Sequence, residues 1–177
     1  MIRVVLTGAE CTGKSTLATA LSGHYGEPCT KEFAREYVNQ LDRELTPVDV
    51  EPIAKGQLAQ EDNAMGQANR FILHDTNLLS TIIYANHYYG KQLSWLNDVF
   101  LRRDYALYLL CSPEGIDWKA DPGQRDSPEA REKLHLQFKH YLGLYVLPYV
   151  SLEGCQHTRF RRAVMEINKL LPEKGGG

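Results

Sequence analysis

The sequence predicts an α/β domain in which a central, mainly parallel sheet of about five strands lies between two layers of helices. Four apolar runs of strand length, Ile2–Leu6, Arg70–His74, Tyr105–Cys111 and Pro148–Leu152, are continuous rather than alternating, as in strands that are buried on both faces. Segments of helical period separate these runs. Strands that alternate with helices are typical of a parallel sheet covered on both sides, which is a three-layer α/β/α arrangement.

The helical segments follow the strands in a regular order along the chain. A fifth and shorter strand is expected at Pro28–Lys31, before the helix that begins near Phe33. The 177 residues, 43% of them hydrophobic, suffice for one well-packed domain, which we place at residues 1–172, with a disordered tail at 173–177. The expected helices are Ser15–His24, Phe33–Leu41, Pro47–Gln67, Asn77–Tyr88, Leu93–Arg102, Pro128–Leu147 and Phe160–Leu171.

Composition and charge narrow the class of function. The formal net charge is −2 and no basic block extends beyond the short run at residues 159–162, so a nucleic-acid partner is not expected. The four cysteines are scattered without a Cys-x-x-Cys pair, which argues against a zinc site or a redox motif. No apolar segment approaches the roughly twenty residues that span a bilayer, and the first apolar run lacks a cationic lead. We therefore expect a cytoplasmic protein without a membrane partner, and the sequence carries no indication of its oligomeric state.

The segment GAECTGKST at residues 8–16 is the strongest functional signal. Its spacing, Gly8-x-x-x-x-Gly13-Lys14-Ser15, is that of a phosphate-binding loop, in which consecutive backbone N–H groups surround the β-phosphate of a nucleotide. Lys14 is expected to reach the β- and γ-phosphates, and Ser15 is expected to ligate Mg²⁺. A glycine-rich turn that binds nothing is the alternative, but the preceding strand and the following helix favour the loop. We predict that ATP and Mg²⁺ bind here, through Gly8, Glu10, Cys11, Thr12, Gly13, Lys14, Ser15 and Thr16.

Asp75 lies at the carboxyl end of the second clear strand, where ligands bind in sheets of this class. A phosphate-loop enzyme needs an acidic group at this place, either to hold Mg²⁺ or to accept the proton of an attacking hydroxyl. The alternative is that Asp75 only caps the helix that begins near Asn77, since aspartate is a favoured capping residue. The phosphate loop favours the functional interpretation, with Asp75 as a catalytic, substrate-binding and metal-binding residue.

Glu32, Arg35 and Glu36 are spaced i, i+3 and i+4, so the three charges share one helical face. A solvated helix shows the same pattern, and surface charge pairs are common. The segment follows a probable strand end, where carboxylates and a guanidinium could grip a polyhydroxylated acceptor. Both interpretations stay open at this point.

The segment 112–127 connects a strand to a helix and is rich in proline, glycine, aspartate and serine, which predicts a mobile lid rather than a simple link. Arg125 could move onto the transferring phosphoryl group, where charge must be neutralised, and closure would exclude water. Arg131, one turn into the next helix, is a second candidate for this task. Trp118 could stack on a flat ring or anchor the loop to the core.

The segment 154–159 lies between the last strand and the last helix, and a turn at this place can lie beside the nucleotide base. Arg159 is therefore a candidate to pack on adenine. The alternative is a solvent-exposed start of the last helix. The sequence does not decide between them.

Four segments together resemble a known family: GAECTGKST, EFAREYV at 32–38, HDTN at 74–77 and WKADPGQR at 118–125. In this order and spacing they are similar to the nicotinamide riboside kinase domain of the bacterial NadR proteins, a P-loop kinase domain, over essentially the whole chain. The resemblance implies transfer of the ATP γ-phosphate to the 5′-hydroxyl of nicotinamide riboside, which gives the mononucleotide. It implies that Asp75 is the metal-linked or base carboxylate, that Glu32, Arg35 and Glu36 shape the riboside site, and that Arg125 belongs to the lid.

Two positions depart from the family pattern. The family commonly has a second acid where this chain has Asn77, and its lid reads aspartate-glycine where this chain has Pro122 between Asp121 and Gly123. NadR proteins also carry an adenylyltransferase domain, so the length of this chain predicts a stand-alone kinase. The rival predictions are a kinase of another nucleoside or small metabolite, and an ATP-binding switch without a small-molecule acceptor. The guanine-reading Asn-Lys-x-Asp pattern is absent, because Asn168-Lys169 is followed by two leucines.

Overall fold

A single parallel sheet lies at the centre of the computed structural model, which describes residues 1–119 and 127–172. Within these residues the sheet has five strands in the order β2-β3-β1-β4-β5. The predicted Arg125 and the predicted tail at 173–177 lie outside the described residues. The strands are β1 Ile2–Thr7, β2 Cys29–Thr30, β3 Phe71–Asp75, β4 Leu107–Cys111 and β5 Tyr149–Leu152.

The helices alternate with the strands, which confirms the predicted three-layer α/β class. The last helix begins at Gln156 rather than at Phe160, because its first turn, Gln-His-Thr-Arg, has no apolar residue that a hydrophobic period could reveal. The sixth helix ends three residues before the predicted Leu147, and Val146 has a left-handed φ of 52°. The helices are α1 Lys14–Tyr25, α2 Phe33–Asn39, α3 Val50–Met65, α4 Leu78–Tyr89, α5 Ser94–Leu101, α6 Pro128–Leu144 and α7 Gln156–Asn168, and a 3-10 turn, Pro47–Asp49, precedes α3.

The two faces of the sheet are covered by different helices. Val4 and Leu6 of β1 pack with residues of α1 and α7, whereas Val5 points to the other face and packs with α3, α4, α5 and α6. This alternation along a buried strand explains why the apolar run is continuous rather than periodic.

The register of the central strands places three chain segments at one edge of the sheet. Leu6 of β1 pairs with Asp75 of β3 and with Leu109 of β4, so the strands end together. The loop after β1, Asp75 and the segment after β4 are therefore neighbours in space. Among the described residues, no helix has the length and apolar character needed to cross a membrane.

Candidate functional site

The loop between β1 and α1 has the backbone of an anion-binding loop. Gly8 has a φ of +132°, and a Cβ at this position would lie 2.7 Å from the carbonyl oxygen of Cys111. Gly13 is the N-cap of α1 with a left-handed φ of +77°. Both positions therefore require glycine, and α1 directs its positive N-terminal end into the loop.

Lys14 and Thr12 close the loop upon itself. Lys14 is 8% exposed, and its ammonium donates to the carbonyl oxygen of Ala9 at 2.6 Å. The Thr12 hydroxyl donates to the same oxygen at 2.8 Å. The ammonium therefore lies across the loop, in reach of an anion held by the loop's amides.

Ser15 and Asp75, predicted as the metal-binding pair, are in direct contact. The Ser15 hydroxyl donates to Asp75 Oδ2 at 2.6 Å, and the Asp75 side chain is 6% exposed. The second carboxylate oxygen, Oδ1, is buried and has no hydrogen-bond partner among the described residues. A buried oxygen without a donor is costly, and a cation or a hydroxyl group would satisfy it.

The helix cap that was the alternative role of Asp75 belongs to Asn77. The Asn77 Oδ1 accepts from the amide of Leu79 at 3.2 Å at the start of α4, and its Nδ2 donates to the Tyr108 hydroxyl at 3.0 Å. Asn77 is 1% exposed. At the position where the family commonly has a second acid, this chain therefore has a side chain whose two polar ends are used inside the protein.

Two buried titratable side chains beside Asp75, those of His74 and Cys29, are neutral at pH 7. Burial is the main cause that lowers the pKa of His74 to about 3, and the positive charges of Arg3 and Arg103 act in the same direction. Burial, with the Asp75 carboxylate as a second cause, raises the pKa of Cys29 to about 12. Neither neighbour is charged at neutral pH, so neither neutralises the Asp75 carboxylate.

Glu32 and Arg35 line the same cavity as the phosphate loop. This cavity of about 160 Å³ is bounded by residues 10–16 of the loop and by these two side chains. Arg35 Nε lies 3.6 Å from Glu32 Oε2, with the arginine about half exposed. Glu36 is partly buried and is not among the lining residues. The structure thus brings two of the three charges to the loop.

The N-terminal end of α2 is anchored on α3. The amide of Phe33 donates to Gln57 Oε1 at 3.3 Å, and the Phe33 ring lies directly over Gly56, where a side chain would overlap it. The Tyr37 hydroxyl donates to Asp49 Oδ1 at 3.0 Å at the other end of α2. No residue of α2 is fully buried, so these contacts determine where Glu32 and Arg35 lie.

Trp118, predicted either to stack on a flat ring or to anchor the loop to the core, packs against Arg131. The Arg131 guanidinium carbon is 5.7 Å from the centroid of the Trp118 ring, a cation–π arrangement. Arg131 Nη1 also donates to the carbonyl oxygens of Cys11 at 3.1 Å and Ile116 at 2.9 Å. The Cys11 sulfur in turn accepts from the amide of Lys119 at 3.3 Å. The start of the predicted lid segment is therefore fastened to the phosphate loop.

Arg159 occupies a different place from either predicted one. It is 1% exposed, so it is neither an exposed helix start nor open to a base. Its guanidinium donates to the carbonyl oxygens of Gly154 at 2.7 Å, Thr12 at 3.1 Å and Ser112 at 2.8 Å, and also to that of Glu114. The predicted contact of Arg159 with adenine is therefore wrong, because its guanidinium is buried and donates to backbone carbonyl oxygens.

Sequence reasoning missed Gln156, whose Nε2 donates to the carbonyl oxygen of Gly13 at 3.2 Å. A signal was present, because Gln156 and Arg159 are spaced i, i+3 and so face the same side of a helix. That signal required the correct start of α7.

The parallel sheet and the loop between β1 and α1 define a P-loop nucleotide-binding domain. A family model described as "AAA domain" matches residues 3–159, and the chain belongs to this family.

The chain is also similar to two curated proteins named trifunctional NAD biosynthesis/regulator protein NadR. It is 25% identical to that of Salmonella typhimurium over 179 aligned positions and 27% identical to that of Escherichia coli over 178. In each case 97% of this chain is covered but 43% of the relative, so the chain spans less than half of the relatives' length. The similarity to NadR expected from the four motifs is confirmed over nearly the whole chain.

Solved structures show the same fold. A crystal structure of NadR in complex with NR superposes with a TM-score of 0.76 at 21% identity, and it covers 95% of this chain and 49% of that one. A deoxyadenosine kinase from M. mycoides with bound dATP gives a TM-score of 0.69 at 17% identity, covering 95% of this chain and all of that one. At these identities the superpositions support the fold.

Proposed function

We propose that the chain is an ATP-dependent kinase, one domain over residues 1–172, that transfers the γ-phosphate to the 5′-hydroxyl of nicotinamide riboside. One observation carries the proposal: the phosphate loop and the charged pair Glu32 and Arg35 open onto one cavity, with Asp75 bonded to the loop through Ser15. A switch that only binds ATP has no need for a second set of ligand groups there. The two NadR relatives, together with a solved NadR structure in complex with NR, favour nicotinamide riboside as the acceptor.

The loop holds the donor nucleotide. The amides of residues 8–16 and the end of α1 bind the phosphates of ATP, and the Lys14 ammonium neutralises charge that moves during transfer. Kinases of this class accelerate transfer mainly by positioning and electrostatics, so a rigid loop is the first requirement.

Ser15 and Asp75 fit a magnesium ion. Their hydroxyl and carboxylate oxygens are the hard ligands that Mg²⁺ prefers, and the unpartnered Asp75 Oδ1 offers a further lone pair. When bound, Mg²⁺ supplies neutralisation of the phosphate charge. Asp75 either ligates the ion or accepts the proton of the acceptor hydroxyl.

The acceptor lies on the side of α2. Glu32 accepts hydrogen bonds from ribose hydroxyls, and Arg35 orients Glu32. Nicotinamide riboside carries a cationic ring, which is attracted to the Glu32 carboxylate. Arg125 closes over the phosphates from the lid and excludes water, which prevents hydrolysis of ATP.

The test is ADP release from MgATP with nicotinamide riboside, with other nucleosides and without acceptor. ADP release that requires nicotinamide riboside is expected. The rate of release should fall at least about a hundredfold in Asp75→Asn, because the carboxylate that contacts Ser15 is removed. Asp98→Asn, an exposed acid on α5, is the matched control and should keep full activity. ADP release that requires another nucleoside would show that this nucleoside is the acceptor. ADP release at the same rate with and without every acceptor would favour an ATP-binding switch.

A further inference from the structure

The carbonyl side of the phosphate loop is covered by side chains from the last two helices. Three consecutive loop carbonyls, those of residues 11, 12 and 13, accept from Arg131 of α6, Arg159 of α7 and Gln156 of α7. The donor–acceptor distances are 3.1, 3.1 and 3.2 Å. The donors lie more than a hundred residues away along the chain, so only the fold brings them there. The carbonyl of residue 13 also accepts from the amide of Leu17 at 3.1 Å, so Gln156 is its second donor.

This arrangement matters because a peptide group has two ends. A loop that points consecutive N–H groups at an anion must point the corresponding carbonyl oxygens away from it, and buried carbonyl oxygens need donors. If a donor is lost, the peptide can rotate to find another, and the N–H group then leaves the anion. Donors behind the loop therefore contribute to the arrangement of the amides in front.

Two of the three donors also carry charge. Arg131 is 8% exposed and Arg159 is 1% exposed, and neither forms an ion pair with an acidic side chain in the part of the chain that the structure describes. Their hydrogen-bond acceptors are backbone carbonyl oxygens, and Arg131 also lies over the ring of Trp118. Neither kind of contact cancels the positive charge. A buried positive charge behind the loop attracts the phosphates more strongly than an exposed one, because solvent screens it less.

We propose that Gln156, Arg159 and Arg131 are positioning residues for triphosphate binding, which hold the carbonyls of residues 11–13 away from the nucleotide and so aim the loop amides at its phosphates. This inference rests on the nucleotide-binding part of the proposed function and not on the identity of the acceptor. It gives α7 a role in ATP affinity although no residue of α7 belongs to the loop.

The test measures binding of ATP and of inorganic tripolyphosphate by calorimetry, without acceptor. The variants are Gln156→Met, Arg131→Met and Arg159→Met, each of which keeps an unbranched side chain but removes the donor. We expect ATP to bind at least about tenfold more weakly to the arginine variants. The effect of Gln156→Met should be smaller, about twofold, because the carbonyl of residue 13 keeps the Leu17 amide as a donor. The affinity for tripolyphosphate should fall by the same factors, because the loop amides contact only the phosphates of ATP. Arg161→Met, an exposed arginine on the same helix, is the matched control and should bind as wild type does.

Thermal unfolding of each variant distinguishes loss of the fold from a changed orientation of the loop amides. If Arg159→Met does not fold, Arg131→Met, which removes the side-chain donor of the Cys11 carbonyl, still decides the question. Wild-type affinity for ATP in folded Arg131→Met would overturn the inference, as would a weaker affinity for ATP without a weaker affinity for tripolyphosphate. A wild-type protein that binds neither probe would instead overturn the nucleotide site on which the proposed function depends.

Discussion

Substitution of Gly56 by alanine is expected to displace the N-terminal end of α2 from α3 while leaving the rest of the fold intact. The Cβ of Gly56→Ala would overlap the ring of Phe33, the residue that anchors the N-terminal end of α2. Either the two helices separate or the side chain is forced into a filled space. Because α2 has no fully buried residue, separation is the less costly response.

The magnitude follows from two opposing effects. Replacing glycine by alanine in the interior of a helix stabilises it by about 1 kcal/mol, whereas forcing a methyl group into a packed contact costs about 1–3 kcal/mol. If α2 moves away, the cost is limited to the Phe33 contact and one hydrogen bond, about 1 kcal/mol each. The free energy of unfolding should therefore change by about 1 kcal/mol or less.

Hydrogen exchange is the direct assay. The amide of Phe33, which donates to Gln57, should exchange about tenfold faster or more in Gly56→Ala. The KM for the acceptor should rise because Glu32 and Arg35 move with α2, whereas the affinity for ATP should not change.

Two other glycines provide matched controls. Gly23 of α1 and Gly143 of α6 are helical, and a Cβ at either position meets no atom within 4 Å. Their alanine variants should gain up to about 1 kcal/mol with no other change. If Gly56→Ala gains stability like the controls and its α2 amides exchange at the wild-type rate, the anchoring of α2 by Phe33 is wrong.

Two further predictions concern the buried side chains beside Asp75. The pKa of His74 is lowered from 6.5 to about 3, so between these values the unfolded chain binds a proton that the folded chain does not, and stability falls as the pH is lowered through this range. Chemical denaturation of His74→Gln between pH 6 and 4 should show a slope smaller by up to about 1.4 kcal/mol per pH unit, and an unchanged slope would contradict the buried neutral imidazole. Asn77→Asp places a carboxylate where the side chain is 1% exposed and removes the donor to Tyr108, so at pH 7 it should cost about 1–3 kcal/mol in urea denaturation. A gain in activity without a loss of stability would show that this position faces the reaction and not the interior.

Asn77 also shows that a resemblance to a family does not fix the number of carboxylates in the site. A second acid at this position would lie between the α4 amides and the Tyr108 hydroxyl, and burial raises the pKa of Tyr108. An amide satisfies both neighbours at once, with Oδ1 for the helix and Nδ2 for the phenol. Asparagine in place of the family's second acid thus fits its surroundings. Asp75 is then the carboxylate that contacts the phosphate loop.

The sequence by itself determined the elements and the central part of the site. Gly8, Gly13, Lys14 and Ser15 are close in sequence, and their spacing specifies a local backbone whose chemistry does not depend on the rest of the chain. Asp75 was predictable because a carboxylate after a buried strand must lie at the edge of the sheet where ligands bind. Strands and helices were likewise readable, since hydrophobic periodicity is a property of neighbouring residues.

Only the tertiary structure decided what lies behind the loop. Arg159 had two plausible roles in the sequence and has a third in the fold, because its partners come from the segments after β1, β4 and β5. Those segments become neighbours through the strand order β1-β4-β5, which no local pattern encodes. The same holds for Glu32 and Arg35: their spacing indicated a shared face, and the docking of Phe33 over Gly56 determined that this face lies at the phosphate loop. Periodicity reports which residues share a surface, whereas hydrogen bonds and steric fit between distant segments select the surface that they meet.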